Sequence, residues 1–130
     1  MNRRWLSAAL SIMAGCSGDA LGPTACATPI VASVGGGTVP VFTWTPACGI
    51  SLISVVPFPN PTPLSMWSID GGKRTFGPPV TYGSGGSSAR PLVVGQVYEA
   101  TFSVYAEVPG SSPGVTFDGD TVLTRMQFTP

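Results

Sequence analysis

Breakers are spaced too closely in this chain for a helix to form. From residue 28 onward no window of eleven residues is free of Gly, Pro, Ser and Asn, whereas globular helices typically run for about 8–20 residues. Glycine and proline alone supply 17 + 14 = 31 of the 130 residues. Between the breakers lie short runs rich in β-branched and aromatic side chains, which is the signature of strands. These runs are 28–34 (TPIVASV), 39–45 (VPVFTWT), 50–56 (ISLISVV), 64–69 (LSMWSI), a weaker one within 74–82 broken by Pro78-Pro79, 97–108 (VYEATFSVYAEV) and 121–129 (TVLTRMQFT). The punctuation between them predicts turns at Gly35-Gly36-Gly37, at Asp70-Gly71-Gly72 and at Asp118-Gly119-Asp120. It also predicts a stiff proline-rich connector over 57–63 and a flexible stretch over 83–88 (GSGGSS).

Alternation assigns faces to the clearest runs. Along 97–108 the set Tyr98, Ala100, Phe102, Val104 and Ala106 is apolar and is expected inside, opposite Val97, Glu99, Thr101, Ser103 and Tyr105. In the last run Val122, Thr124, Met126 and Phe128 are expected inside, and in the second run Phe42 and Trp44. Seven short strands with a turn signal every 8–15 residues or so argue for an all-β, two-sheet sandwich.

The chemistry available is narrow. The chain has no histidine, which excludes Ser-His-Asp triads, most zinc enzymes and any histidine pH switch. Charged residues make 9% of the chain against an average of about 25%, and six scattered basic residues give no footprint for nucleic acid. Glu99 and Glu107 are eight residues apart on one strand, roughly 27 Å, too far for a glycosidase pair. Asp118-Gly119-Asp120 has no further acidic residue nearby to complete a calcium shell. Neither glycine-rich stretch precedes a helix or ends in the Gly-Lys-Ser/Thr that a phosphate loop requires. No catalytic residue, metal site or cofactor is expected.

The first fifteen residues read as an export signal. Asn2-Arg3-Arg4 is a positive n-region, and residues 5–14 (WLSAALSIMA) are an uncharged apolar run of ten, about half of what a bilayer-spanning helix needs. The run ends in Met13-Ala14-Gly15-Cys16, which resembles the lipobox of bacterial lipoproteins, with Met13 where that family usually carries Leu. The resemblance implies cleavage before Cys16 and diacylglycerol on its thiol, so that the membrane is a partner through a lipid anchor. Ser17 at the following position, rather than Asp, implies the outer membrane by the enteric sorting rule. The alternative is plain secretion, with cleavage after Ala20. Loss of residues 1–15 leaves four basic residues (Lys73, Arg74, Arg90, Arg125) and six acidic ones, a formal charge of 4 − 6 = −2. If Cys16 carries lipid, Cys26 and Cys48 remain as one possible pair in an oxidising compartment. The competing reading is a reactive thiol, which would need a local cation to lower its pKa.

Residues 16–27 are expected to be a lipidated N-terminus and flexible tether, and 28–130 the folded domain. Within it, Phe42-Thr43-Trp44-Thr45-Pro46 and Leu92-Val93-Val94-Gly95-Gln96-Val97-Tyr98 resemble two motifs of fibronectin type III domains. These are the apolar-x-Trp-x-Pro of the second strand and the Leu-x-x-Gly-x-x-Tyr that enters the sixth. The resemblance implies a seven-stranded immunoglobulin-like sandwich over about residues 28–129, with Tyr98 as a tyrosine corner whose hydroxyl returns to backbone just upstream. In such a fold Cys26, before the first strand, and Cys48, after the second, fall at the same end, where a bridge would staple the first strand.

Function is then sought on the surface. Trp67, Phe76 and Tyr82 lie in the loop-rich middle of the chain and, if exposed, offer rings to stack on a sugar or anchor a protein; the competing reading is core packing. The proline-rich connector is similarly a candidate for a proline-recognition domain. The expectation is a non-enzymatic envelope module for binding, adhesion or structure, with an unknown envelope protein or glycan as partner, and carbohydrate binding through Trp67 and Tyr82 as the alternative.

Overall fold

The computed structural model describes residues 22–59, 64–107 and 117–130. Within them the chain is all-β, with no helix, and forms two antiparallel sheets. The smaller holds β1 (Val31–Val34), β2 (Val41–Thr45) and β5 (Val80–Thr81), in the order β1-β2-β5. The larger holds β3 (Leu52–Pro57), β4 (Trp67–Asp70), β6 (Tyr98–Glu107) and β7 (Phe117–Phe128), in the order β4-β3-β6-β7. The sheets face each other across an aromatic core, as in a β-sandwich. Phe42 of the smaller sheet stacks on Trp67 at 6.1 Å and meets Phe102 and Phe128 edge-on at 6.0 and 5.9 Å. Trp44 meets Phe102 at 5.9 Å. Burying each such ring contributes about 1.5–3 kcal/mol, and edge-to-face geometry adds to it.

Alternation places most of this core. Phe42 and Trp44 point inward on β2 between exposed Val41, Thr43 and Thr45. On β6, Tyr98, Ala100, Phe102 and Val104 are all buried. The expected inward face of β7 holds at Met126 and Phe128 and fails at Val122. Phe102 pairs with Thr124 but Ser103 pairs with Val122, so β7 carries an extra residue at this bulge and the side-chain phase flips. Leu123 packs against the core instead, and Val122 is exposed. The expected turn at Asp118-Gly119-Asp120 is likewise corrected: β7 already runs from Phe117, with Asp120 opposite Tyr105.

Register defines two poles. Val31 pairs with Thr45, and Leu52 pairs with both Asp70 and Ser103; these ends lie with Cys26 and Cys48 and form the disulfide pole. The other ends of the strands (Val34, Phe42, Pro57, Trp67, Thr81, Tyr98, Phe128) converge on the opposite pole.

Candidate functional site

The disulfide pole is closed by a covalent bridge together with main-chain and side-chain hydrogen bonds. Cys26 and Cys48 are bonded, with their Cα atoms 5.0 Å apart. Around them Cys26 N–H donates to the Gly49 carbonyl at 2.8 Å and Gly49 N–H to the Thr24 carbonyl at 2.7 Å. The Thr75 hydroxyl donates to the Pro23 carbonyl. Gly22 has φ +92° and lies so close to the Thr75 carbonyl that any side chain would collide with it. The expected flexible tether is therefore shortened: from Gly22 onward the chain is fastened to the domain. Trp44 Nε1 donates to the Cys48 carbonyl at 2.9 Å, tying the core to the staple. The turn at Asp70-Gly71-Gly72 forms as expected, with Gly72 N–H donating to Asp70 Oδ1 at 2.8 Å and Tyr105 Oη to Asp70 Oδ2 at 2.7 Å. Lys73 and Arg74 follow it, exposed.

The opposite pole is closed by two tyrosine hydroxyls together with main-chain bonds. Val93 N–H donates to the Tyr98 hydroxyl at 2.9 Å, across the turn where Gly95 adopts φ +87° and Leu92 is buried. Tyr82 Oη donates to the Arg90 carbonyl at 2.6 Å, with the Met66 carbonyl at 3.3 Å. Burial pushes the Tyr82 pKa above the usual tyrosine value, and the neighbouring Tyr98 phenol adds to the shift. The 83–88 stretch, expected to be flexible, is laid along β4, an edge strand of its sheet. Ser87 N–H donates to the Ser68 carbonyl at 2.9 Å, Ser68 N–H to Ser87 Oγ at 3.0 Å, and Arg90 N–H to the Met66 carbonyl at 2.9 Å. Strand edges left open invite pairing with other chains, and this loop closes one.

These placements correct the expectation of exposed rings. Trp67 is 0% exposed and Tyr82 6%; they pack on each other at 5.2 Å, and the indole is also stacked with Phe42. Trp67 begins β4 facing the core, so the sugar-binding plane is already occupied. Phe76 is half-buried at the other pole, where its backbone pairs with Ile50, so the three residues form no common site. Pro46 is exposed in the turn after β2. Cys16 and residues 60–63 of the proline-rich connector lie outside the described residues.

What remains for recognition is the opposite pole itself. Among the described residues, five of the eight exposed large hydrophobic ones, Val39, Phe58, Leu64, Val93 and Val94, stand on its loops, with Val94 the most open of them at 74%. Beside them a groove of about 320 Å³ is lined by Thr38, Val39, Tyr82 and residues 89–92. Its wall is mainly apolar, with Thr38, Tyr82 and Arg90 as its polar members. Among the described residues no group of three His, Cys, Asp or Glu side chains gathers where a metal ion could be held. Sequence reasoning passed over these valines because isolated apolar residues in loops carry no periodic signal; the pairing of loops across the pole brings them together. Comparisons with protein-family models, with curated proteins and with solved structures find no match to this chain.

Proposed function

We propose that this protein is a lipid-anchored, non-enzymatic module of a bacterial cell envelope, built on an immunoglobulin-like domain of the fibronectin type III kind and acting in binding, adhesion or envelope structure. The observation that carries the reading is the cysteine count. Of three cysteines, Cys26 and Cys48 pair with each other, which leaves Cys16 directly behind a basic n-region and an apolar run. A lone cysteine in an exported chain calls for a role, and acylation supplies one. The strand arrangement supports the domain type. The second strand pairs with the fifth and the third with the sixth, as B with E and C with F do in immunoglobulin domains, and the fourth joins the third, the fibronectin type III variant. The bond from Val93 to Tyr98 has the form of a tyrosine corner.

The test is the intact mass of the protein from its native membrane, before and after reduction. The expected result is a chain beginning at Cys16 with a lipid adduct, gaining two hydrogens on reduction. An unmodified chain beginning near Leu21 would replace the anchored module with a secreted domain. Carbohydrate binding through Trp67 and Tyr82 gains no support, since neither ring is available to stack on.

A further inference from the structure

We infer that the domain stands on the membrane by its disulfide pole, which turns the opposite pole, with its exposed valines and groove, away from the lipid surface. The inference rests on acylation of Cys16 and adds an orientation that acylation alone does not dictate. A long tether or a first strand free to peel would let the domain tumble over the lipid surface. Neither condition is met. Six Cα–Cα steps separate Cys16 from Gly22, at most about 22 Å of extended chain. At Gly22 the chain is already seated against Thr75, and Pro23, Thr24 and Cys26 are bonded in turn to Thr75, Gly49 and Cys48. The anchor therefore pulls on a fixed point of the disulfide pole. β6 runs ten residues from the opposite pole toward it, on the order of 30 Å, so the valine-bearing loops lie about one domain length further from the lipid.

The consequence for recognition is steric. Loops at the disulfide pole, including the turn with Lys73 and Arg74, face the bilayer at short range and are closed to a large partner. The charge of this turn does not drive the apposition, since Asp70 shares it with the two cations. The short, fastened connection is sufficient.

The experiment uses the chain from Cys16 onward, which retains the whole described fold, with Cys26 and Cys48 oxidised so that Cys16 is the only free thiol. Coupling Cys16 to a maleimide phospholipid in phosphatidylcholine nanodiscs supplies the anchor whatever the cell does. Paramagnetic broadening by a gadolinium-chelate lipid is then read at backbone amides. Broadening several-fold stronger at Ala47, Gly72 and Lys73 than at Val39 and Val94 is the expected result. Uniform broadening, or the reverse order, would overturn the orientation while leaving acylation intact. An unlipidated chain in the native-membrane mass measurement would overturn both readings, whatever the nanodiscs show.

Discussion

The two poles of this domain are closed by different chemistry. At the disulfide pole the chain is held covalently and by backbone hydrogen bonds, with Cys26, Gly49 and Thr24 paired main chain to main chain. At the opposite pole the closing bonds pass through the hydroxyls of Tyr98 and Tyr82 and through a glycine-serine loop. The difference is the covalent bond, since each pole also uses main-chain and side-chain hydrogen bonds: Thr75 to Pro23 and Tyr105 to Asp70 at the first, Ser87 to Ser68 and Arg90 to Met66 at the second. The pole that carries the exposed valines is thus the one that the disulfide does not close.

The largest expected effect tests the covalent pole. The bridge spans a separation of 22 residues, and constraining a loop of that size contributes about 3 kcal/mol in the chain-entropy model. Cys26→Ala/Cys48→Ala is expected to lose about that much in urea unfolding. Hydrogen exchange should rise first at Cys26 and Gly49 and leave Val93 protected. A loss below about 1 kcal/mol would show that the backbone bonds suffice and that the staple is redundant.

A smaller effect separates two glycine-rich segments that read alike. Gly36 has nothing within 4 Å of where a Cβ would stand. Gly86 has φ +63° and a Cβ there would run into the Ser68 carbonyl. Gly86→Ala is expected to cost about 2 kcal/mol, from left-handed strain and a displaced loop, whereas Gly36→Ala should stay within about 0.5 kcal/mol. Similar losses in thermal or urea unfolding for both variants would mean that the 83–88 loop does not cover β4 in solution.

That pair also marks where the sequence stops being readable. Strand positions were legible because period-two alternation is local, and it placed Phe42, Trp44 and the buried face of β6. The bond between Val93 and Tyr98 was expected only through the resemblance of residues 92–98 to a family motif, not from the residues by themselves. The bulge at Leu123 was not legible, since it arises from register against β6, and neither was the fate of GSGGSS, since glycine looks the same whether it lies in solvent or along a strand edge. Trp67 illustrates the same limit for the site. A tryptophan among turn signals gives no hint of which face it takes until Phe42 is brought across to stack on it. Val39, the pair Val93 and Val94, and Phe58 with Leu64 lie on three separate loops, and only the meeting of those loops at one pole makes them a surface.

Tyr98→Phe probes the hydroxyl-closed pole directly. It leaves the ring and its contact with Phe128 at 5.9 Å but strands the Val93 N–H, at a cost of about 1–2 kcal/mol. Increased exchange at Val93 to Gly95, with Cys26 unchanged, is the expected pattern. An unfolding free energy equal to that of the parent protein would remove the corner from the account of this pole.

Alkaline titration gives the smallest effect and the sharpest contrast between the poles. Tyr82 is held protonated by burial, with a further contribution from Tyr98, so its folded pKa lies above the value near 10 of an unfolded tyrosine. Just above that pH the unfolded chain releases the phenolic proton while the folded chain keeps it. The unfolded state then binds fewer protons, and stability falls as pH rises. The stabilisation is complete below about pH 10 and is lost as pH climbs through the folded pKa. Tyr82→Phe should lower stability at neutral pH by about 1 kcal/mol, the worth of the bond to Arg90, and should flatten the decline in Tm above pH 10. The bridge variant, which leaves Tyr82 and its bond to Arg90 in place, should keep the parent's alkaline slope. A Tyr82→Phe protein with an undiminished alkaline slope would instead show that the phenol is hydrated in solution and that the groove beside it is open to water.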